Sequence, residues 1–388
     1  MNGMGKRVAI MSIVHIKVRH GQMPAVQLSQ FLPPFKMRVL IASTVVSTLH
    51  VVLAVVPSLR LIVTGPSNVT DVDNLFVKTT VTNTGLDSVK LLKNPSSVLS
   101  DWQTNSFSIK SSLGAPFFTG IRVKYSPELA LKSGDESNFI TLAAGESFEL
   151  THSLAGVYNF TGSGAGEYSF SANNVFQYVD ESGQLAIVRA ETATNKLSLS
   201  GSLVSLRHMQ NFSRRGIARR DVGYKGCSSG QFLLINTAIR SANEYIASAI
   251  TYLDGISMGT ARYTEWFGAF DPTRFDRVKS HFKKIGADAS STIYDCGCKK
   301  PAVYAYVYQD SPGYVYLCDA FWVAPETGTN SRAGTIVHEQ SHFVVNGGTN
   351  DHVYGLMSAH ALAVSDPDQA IDNADNHEYF VENNPILS

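Results

Sequence analysis

The residues best placed to do chemistry lie between Gly334 and Gly355, in the stretch GTIVHEQSHFVVNGGTNDHVYG. His338 and His342 are four apart, so on a helix of 3.6 residues per turn they share one face, one turn apart. Two imidazoles in that relation can grip one zinc ion. Glu339, beside them, stands near the position left open for a reacting group, where it can take a proton from water.

A catalytic zinc needs a third protein ligand. Where the metzincin pattern has its glycine and third histidine, this chain has Val345 and Gly348, which excludes that class. Glu378 or Glu382 could serve from further along. Asp351 is nearer: Gly347 and Gly348 let the chain turn after the helix and bring a short carboxylate back. His352, adjacent to Asp351, reads as a surface or supporting residue. Further on, Asp375 and Glu378 in ADNHEYF share a helical face, where two carboxylates could attract an ammonium group. His377 between them reads as structural.

The elements that must carry these residues fall in the last part of the chain. SSGQFLLINTAIRSANEYIASAITYLDG has helical period and length, with Ser228 or Ser229 as its cap. PTRFDRVKSHFKKIG reads as a helix opened by proline, and AVYAYVYQDSPGYVYLCDAFW as a hairpin around Ser-Pro-Gly. Residues 222–388 are thus expected to form an α+β, mostly helical domain. Its four cysteines, Cys227, Cys296, Cys298 and Cys318, are an even set that suggests disulfides in an oxidising compartment. Cys296 and Cys298 are too close to pair, which leaves 227–296 with 298–318, or 227–298 with 296–318.

Residues 59–201 differ in texture. Alternating segments such as FVKTTVTNTG, SFSIKSS and GIRVKYSPE, punctuated about every ten residues, predict an antiparallel β-sandwich. No catalytic constellation is evident there, and His152 and His208 stand alone. Sequons at Asn68, Asn159 and Asn211 are candidate glycosylation sites. Before this region, the apolar run Val39–Val56, with basic residues ahead of it and Pro57 behind, reads as a signal peptide over 37–58. No stable membrane anchor is expected, and residues 1–36 form a doubtful N-terminal extension, with Met37 a candidate start. Residues 202–221 form a polar linker whose pairs Arg214–Arg215 and Arg219–Arg220 suit a dibasic processing protease.

The 388 residues carry 32 basic and 32 acidic side chains, which gives no general pull toward nucleic acid. The balance is uneven. From Asp221 onward there are 11 Lys/Arg against 19 Asp/Glu, a net of −8, and no basic residue follows Arg332. An acidic site for cationic substrates is one reading of this; an acidic surface is the other.

HEQSH followed by GTNDHVYG resembles the deuterolysin-type, or aspzincin, metallopeptidases, marked by H-E-x-x-H with G-T-x-D-x-x-Y-G. YKGCSS, YTEWFG, VYLCDAFWVAP, DPDQAIDNADNHEYFVENNP and the cysteine arrangement resemble the fungal peptidyl-Lys metalloendopeptidases within that family. The resemblance covers nearly all of residues 223–388, and the stretch from VTGPSNVTDVDNL to about residue 200 resembles the family's propeptide. It implies a zincin-like domain with one Zn2+ per chain held by His338, His342 and Asp351. Glu339 is then the general base, Tyr354 the oxyanion donor, and Asp375 and Glu378 the lining of the S1′ pocket. It further implies the pairs Cys227–Cys296 and Cys298–Cys318, and cleavage at Xaa–Lys bonds of protein or peptide substrates. The whole is expected to be a secreted, monomeric preproenzyme with its own propeptide as inhibitor. Two other readings stand beside it: a protease of broad specificity, and a secreted binding protein with a degenerate protease domain. The intact site residues argue against the last.

Overall fold

The computed structural model describes residues 56–205 and 221–388. The extension 1–36, most of the signal segment 37–58, the arginine pairs, His208 and Asn211 lie outside the described residues.

Alternation shapes the N-terminal region. LRLIVT (β1, Leu59–Thr64) and FVKTTVTN (β3, Phe76–Asn83) bury every second residue, as a sheet with one core-facing side requires. Three four-stranded sheets share one hydrophobic core. The first runs β14 (Glu191–Thr192), β1, β3, β9 (Ser147–Ser153). The second runs β2 (Asn68–Thr70), β15 (Asn195–Ser200), β11 (Gly166–Ala172), β5 (Phe107–Lys110). The third runs β13 (Leu185–Arg189), β12 (Val175–Val179), β4 (Val89–Leu92), β8 (Phe139–Leu142). A small ribbon pairs β6 (Phe117–Phe118) with β10 (Tyr158–Asn159). The expected wholly antiparallel pairing is departed from twice, since β1 with β14 and β2 with β15 are parallel.

A third departure matters for function. β7 (Ile121–Tyr125) joins none of these sheets. It forms the outer strand of a five-stranded sheet with order β16 (Gly223–Lys225), β17 (Ile293–Asp295), β19 (Tyr314–Leu317), β18 (Val303–Tyr308), β7. All five residues of β7 are buried, and helix α1 (Pro127–Lys132) follows it. The hairpin expected around Ser-Pro-Gly is β18–β19.

The C-terminal region packs helices against this sheet. α2 (Ser229–Gly255) starts at Ser228, whose hydroxyl and Gln231 form a capping box. Then come α3 (Ala261–Phe267), α4 (Pro272–Ile285), α5 (Asp319–Val323), α6 (Arg332–His342), α7 (Leu356–Ser365), α8 (Pro367–Ala370) and α9 (Ala374–Glu382). Disulfides join Cys227 to Cys296 and Cys298 to Cys318, the pairing that the resemblance implies. Among the described residues no helix is long and apolar enough to cross a membrane.

Candidate active site

α6 is the central element of the site, and every residue from Ala333 to His342 is buried. Its start is held twice. The Ser331 hydroxyl accepts from Gly334 N, and Glu382 on α9 accepts from Ser331 N at 2.8 Å and from Ser331 Oγ at 2.7 Å. Gly334 is required at this crossing: a Cβ there would lie 2.2 Å from Glu382 Oε1 and 2.9 Å from Glu378 Cγ. α6 ends at His342, and Phe343 O then collects the amides of Asn346, Gly347 and Gly348. Gly348 has a φ of +62°, which turns the chain back. A parallel bridge between Asn350 and Asn373 then sets Asp351 against the helix.

The result is convergence. Asp351 Oδ1 lies 3.3 Å from His338 Nε2 and 3.2 Å from His342 Nε2. All three atoms are buried and lack a hydrogen-bond partner, the mark of a donor set arranged for a cation. The His342 Nδ1–H donates to Thr349 O at 2.8 Å, so the Nε2 lone pair faces the convergence point. Burial pushes the Asp351 carboxyl up, but the two histidines more than reverse this and hold it ionised. Glu339 follows His338 in the buried core with both carboxylate oxygens unpartnered. Burial pushes its pKa up to about 8.

His338 is used on both edges. Its Nδ1 lies 2.9 Å from Asp375 Oδ1 and 3.4 Å from Glu378 Oε2, both on α9. Asp375 Oδ2 also accepts from Gly355 N at 2.7 Å. The two acids and His338 form a second convergent group, and it already holds a cation. Lys124 Nζ, from β7, lies 2.5 Å from Glu378 Oε2 and 3.7 Å from Asp375 Oδ1. The rings of Tyr304 and Tyr379 lie 5.0 and 5.8 Å from the same ammonium.

The Tyr354 hydroxyl meets Ser96 Oγ at 2.8 Å, and burial keeps it protonated far above the usual phenol range. A cleft lined by Asn105, Arg122, Asp351, His352 and Tyr354 opens beside it. His352 turns away from His338, His342 and Asp351: its Nε2 meets Asp372 Oδ2 at 3.1 Å. Glu382 caps α6, and Glu378 approaches the other nitrogen of His338, so neither joins Asp351 and the two Nε2 atoms. His377 is buried against His281, a structural place. His152 bonds Thr79.

Sequence reasoning missed Lys124, Ser96, Tyr304 and Tyr379. The first two lie in the region read as free of site residues. The one available signal was weak: alternation in GIRVKYSPE puts Arg122 and Lys124 on one strand face.

An H-E-x-x-H helix whose histidines meet an aspartate from the following turn, over a mixed sheet, defines a metallopeptidase. Residues 252–382 match the aspzincin family, described as lysine-specific metallo-endopeptidase. The chain is 43% identical over 344 residues to a peptidyl-Lys metalloendopeptidase of Grifola frondosa, covering 88% of this chain and 97% of that protein. It is 51% identical over 166 residues to one from Pleurotus ostreatus, covering 42% of this chain and 99% of that protein. An extracellular protease of Aeromonas hydrophila is 35% identical over 326 residues, covering 81% of this chain and 89% of that protein. The chain belongs to the aspzincin family of zinc metalloendopeptidases.

Proposed function

We propose that this metalloendopeptidase is secreted, carries one zinc per chain and cuts Xaa–Lys bonds, with lysine in P1′. One observation carries the reading. A single ring, His338, faces Asp351 and His342 through Nε2 and the acid pair Asp375–Glu378 through Nδ1. A metal and an ammonium group would therefore sit on opposite edges of one imidazole, so a lysine held by the acids is beside the metal.

His338, His342 and Asp351 would hold the zinc. When bound, zinc supplies Lewis acidity, which polarises a peptide carbonyl and acidifies water. Glu339, buried with both carboxylate oxygens unpartnered, would take the water proton and pass it to the leaving amine. Tyr354, freed from Ser96, donates to the oxyanion. Glu378 and Asp375 hold the substrate ammonium between the Tyr304 and Tyr379 rings. A compact point charge fits there, whereas a planar guanidinium needs a wider, forked partner. No acyl-enzyme forms on cysteine, since all four are in disulfides.

The chain is made as a preproenzyme: signal 37–58, inhibitory propeptide 59–201, linker 202–221 cut at the arginine pairs, and peptidase 222–388. The Pleurotus relative, spanned by 42% of this chain, supports a peptidase unit that stands alone. The Aeromonas relative's name supports an extracellular site of action. Asn68 is exposed and Asn159 half-buried, so both can carry glycans in an oxidising export route.

The test is a digest of a defined protein by the processed chain, with and without chelator, reading new N-termini by mass spectrometry. Lysine at nearly every new N-terminus, abolished by chelator and restored by zinc, is expected. Chelator-sensitive cleavage with mixed N-termini would leave a broad protease and remove the specificity claim.

A further inference from the structure

We infer that β7 is a tethered substrate mimic: the N-terminal region blocks the active site by seating its own Lys124 in the lysine pocket. This rests on the Xaa–Lys reading and names the residue that carries the block.

Geometry supports it at four points. β7 lies antiparallel along β18, pairing Tyr306 with Val123 and Val307 with Arg122, so an extended segment completes the sheet by strand addition. The register slips between Val303 and Ala305, and the extra residue in that slip, Tyr304, turns its ring to the Lys124 ammonium. Val123 N donates to Asp351 Oδ2 at 2.9 Å, which holds the residue just before Lys124 against the carboxylate proposed as a metal ligand. Lys124 then enters the pocket, 2% exposed, on Glu378 and Asp375.

Neighbouring contacts close the remaining groups. Ser96 occupies the Tyr354 hydroxyl, and Tyr125 packs edge-on against the Tyr354 ring at 5.8 Å. The metal ligand Asp351, the oxyanion donor Tyr354 and both pocket acids thus each touch the N-terminal region. A segment of the same chain competes at an effective concentration on the order of millimolar, so dilute peptides stay out while the strand is in place.

Charge explains why lysine is the residue used. Two buried carboxylates without a cation are costly, and the strand supplies the cation that substrate will later bring. Burial lowers the Lys124 pKa, but Glu378 and Asp375 more than reverse this, so the ammonium stays charged.

The experiment compares the full-length, zinc-loaded chain with its Lys124→Gln variant, each kept uncut in the 202–221 linker. Both are assayed on a fluorogenic peptide with a single lysine, and again after processing. The wild-type precursor is expected to have about a tenth or less of the processed activity. Lys124→Gln is expected to raise precursor activity about tenfold or more, with the two processed enzymes equal. An uncut Lys124→Gln precursor no more active than wild type, while both processed chains cut before lysine, overturns the inference. If the processed wild-type chain cuts without regard to lysine, the specificity reading fails first and takes this inference with it. A second measurement needs no variant. In the folded wild-type precursor, amine acylation of Lys124 is expected to run about tenfold or more slower than that of exposed Lys110 and Lys132. Equal rates overturn it.

Discussion

His338 meets Asp351 through one nitrogen and Asp375 through the other, and under the proposed function that decides which substitutions separate metal binding from lysine preference. Glu339→Gln should lower kcat by about 10²–10⁴ while metal content, measured by elemental analysis, stays at the wild-type level. Glu378→Gln should remove most of the preference for lysine with metal retained, read as kcat/KM on lysine against alanine in P1′. Asp375→Asn should do more than that. Asp375 lies 2.9 Å from His338 Nδ1, so the change should also weaken metal affinity by about 10–100-fold, measured by competition with a chelator. Equal metal affinity in both variants would count against the shared role. The convergence of His338, His342 and Asp351 was legible in the sequence because its spacing is local: one helical turn for His338 and His342, one glycine turn for Asp351. The double duty of Asp375 was not, because it arises where α9 crosses α6, and spacing within α9 shows only that Asp375 and Glu378 share a face.

Helix crossings set the tolerances of the site. α6 and α9 approach closely enough that Gly334 has no room for a methyl group. Gly334→Ala should push Glu382 and Glu378 aside, destabilise the fold by about 1–3 kcal/mol and blunt the lysine preference. Thermal unfolding and the same P1′ comparison check both effects. α4 meets α9 through His281 and His377, stacked with His281 Nδ1 at 3.0 Å from His377 Nε2. Burial pushes His281 down to about 4 and His377 down to about 3. The unfolded chain therefore binds protons first, near pH 6.5. Stability from this contact is complete above that pH and is lost as pH falls toward 4 and 3. In urea titrations of chelated protein, His377→Gln should show a shallower loss between pH 7 and pH 4 than wild type. Helices α2 and α4 and the hairpin could be read from period and turn residues, since those signals are local. The parallel pairings of β1 with β14 and β2 with β15 could not, because such partners are chosen by the core and leave no mark on either segment.

At the scale of the molecule, Ala54–Ser388 is one compact unit, and β7 is a strand of the N-terminal region that joins the sheet of the C-terminal one. Lys124 and Glu378 are 254 residues apart, and nothing in the neighbourhood of either announces the other. A lysine in an alternating strand is unremarkable until the sheet it joins is known. Covalent connectivity between the two regions is simpler. Both disulfides close within residues 227–318, and they account for all four cysteines. No bridge therefore links residues before the 206–220 segment to those after it. A single nick there leaves two polypeptides joined by contacts alone, even in an oxidising medium. They should run as two bands under non-reducing denaturing electrophoresis. Their parting should then depend on dilution, so that a nicked sample held concentrated stays quiet and wakes as it disperses.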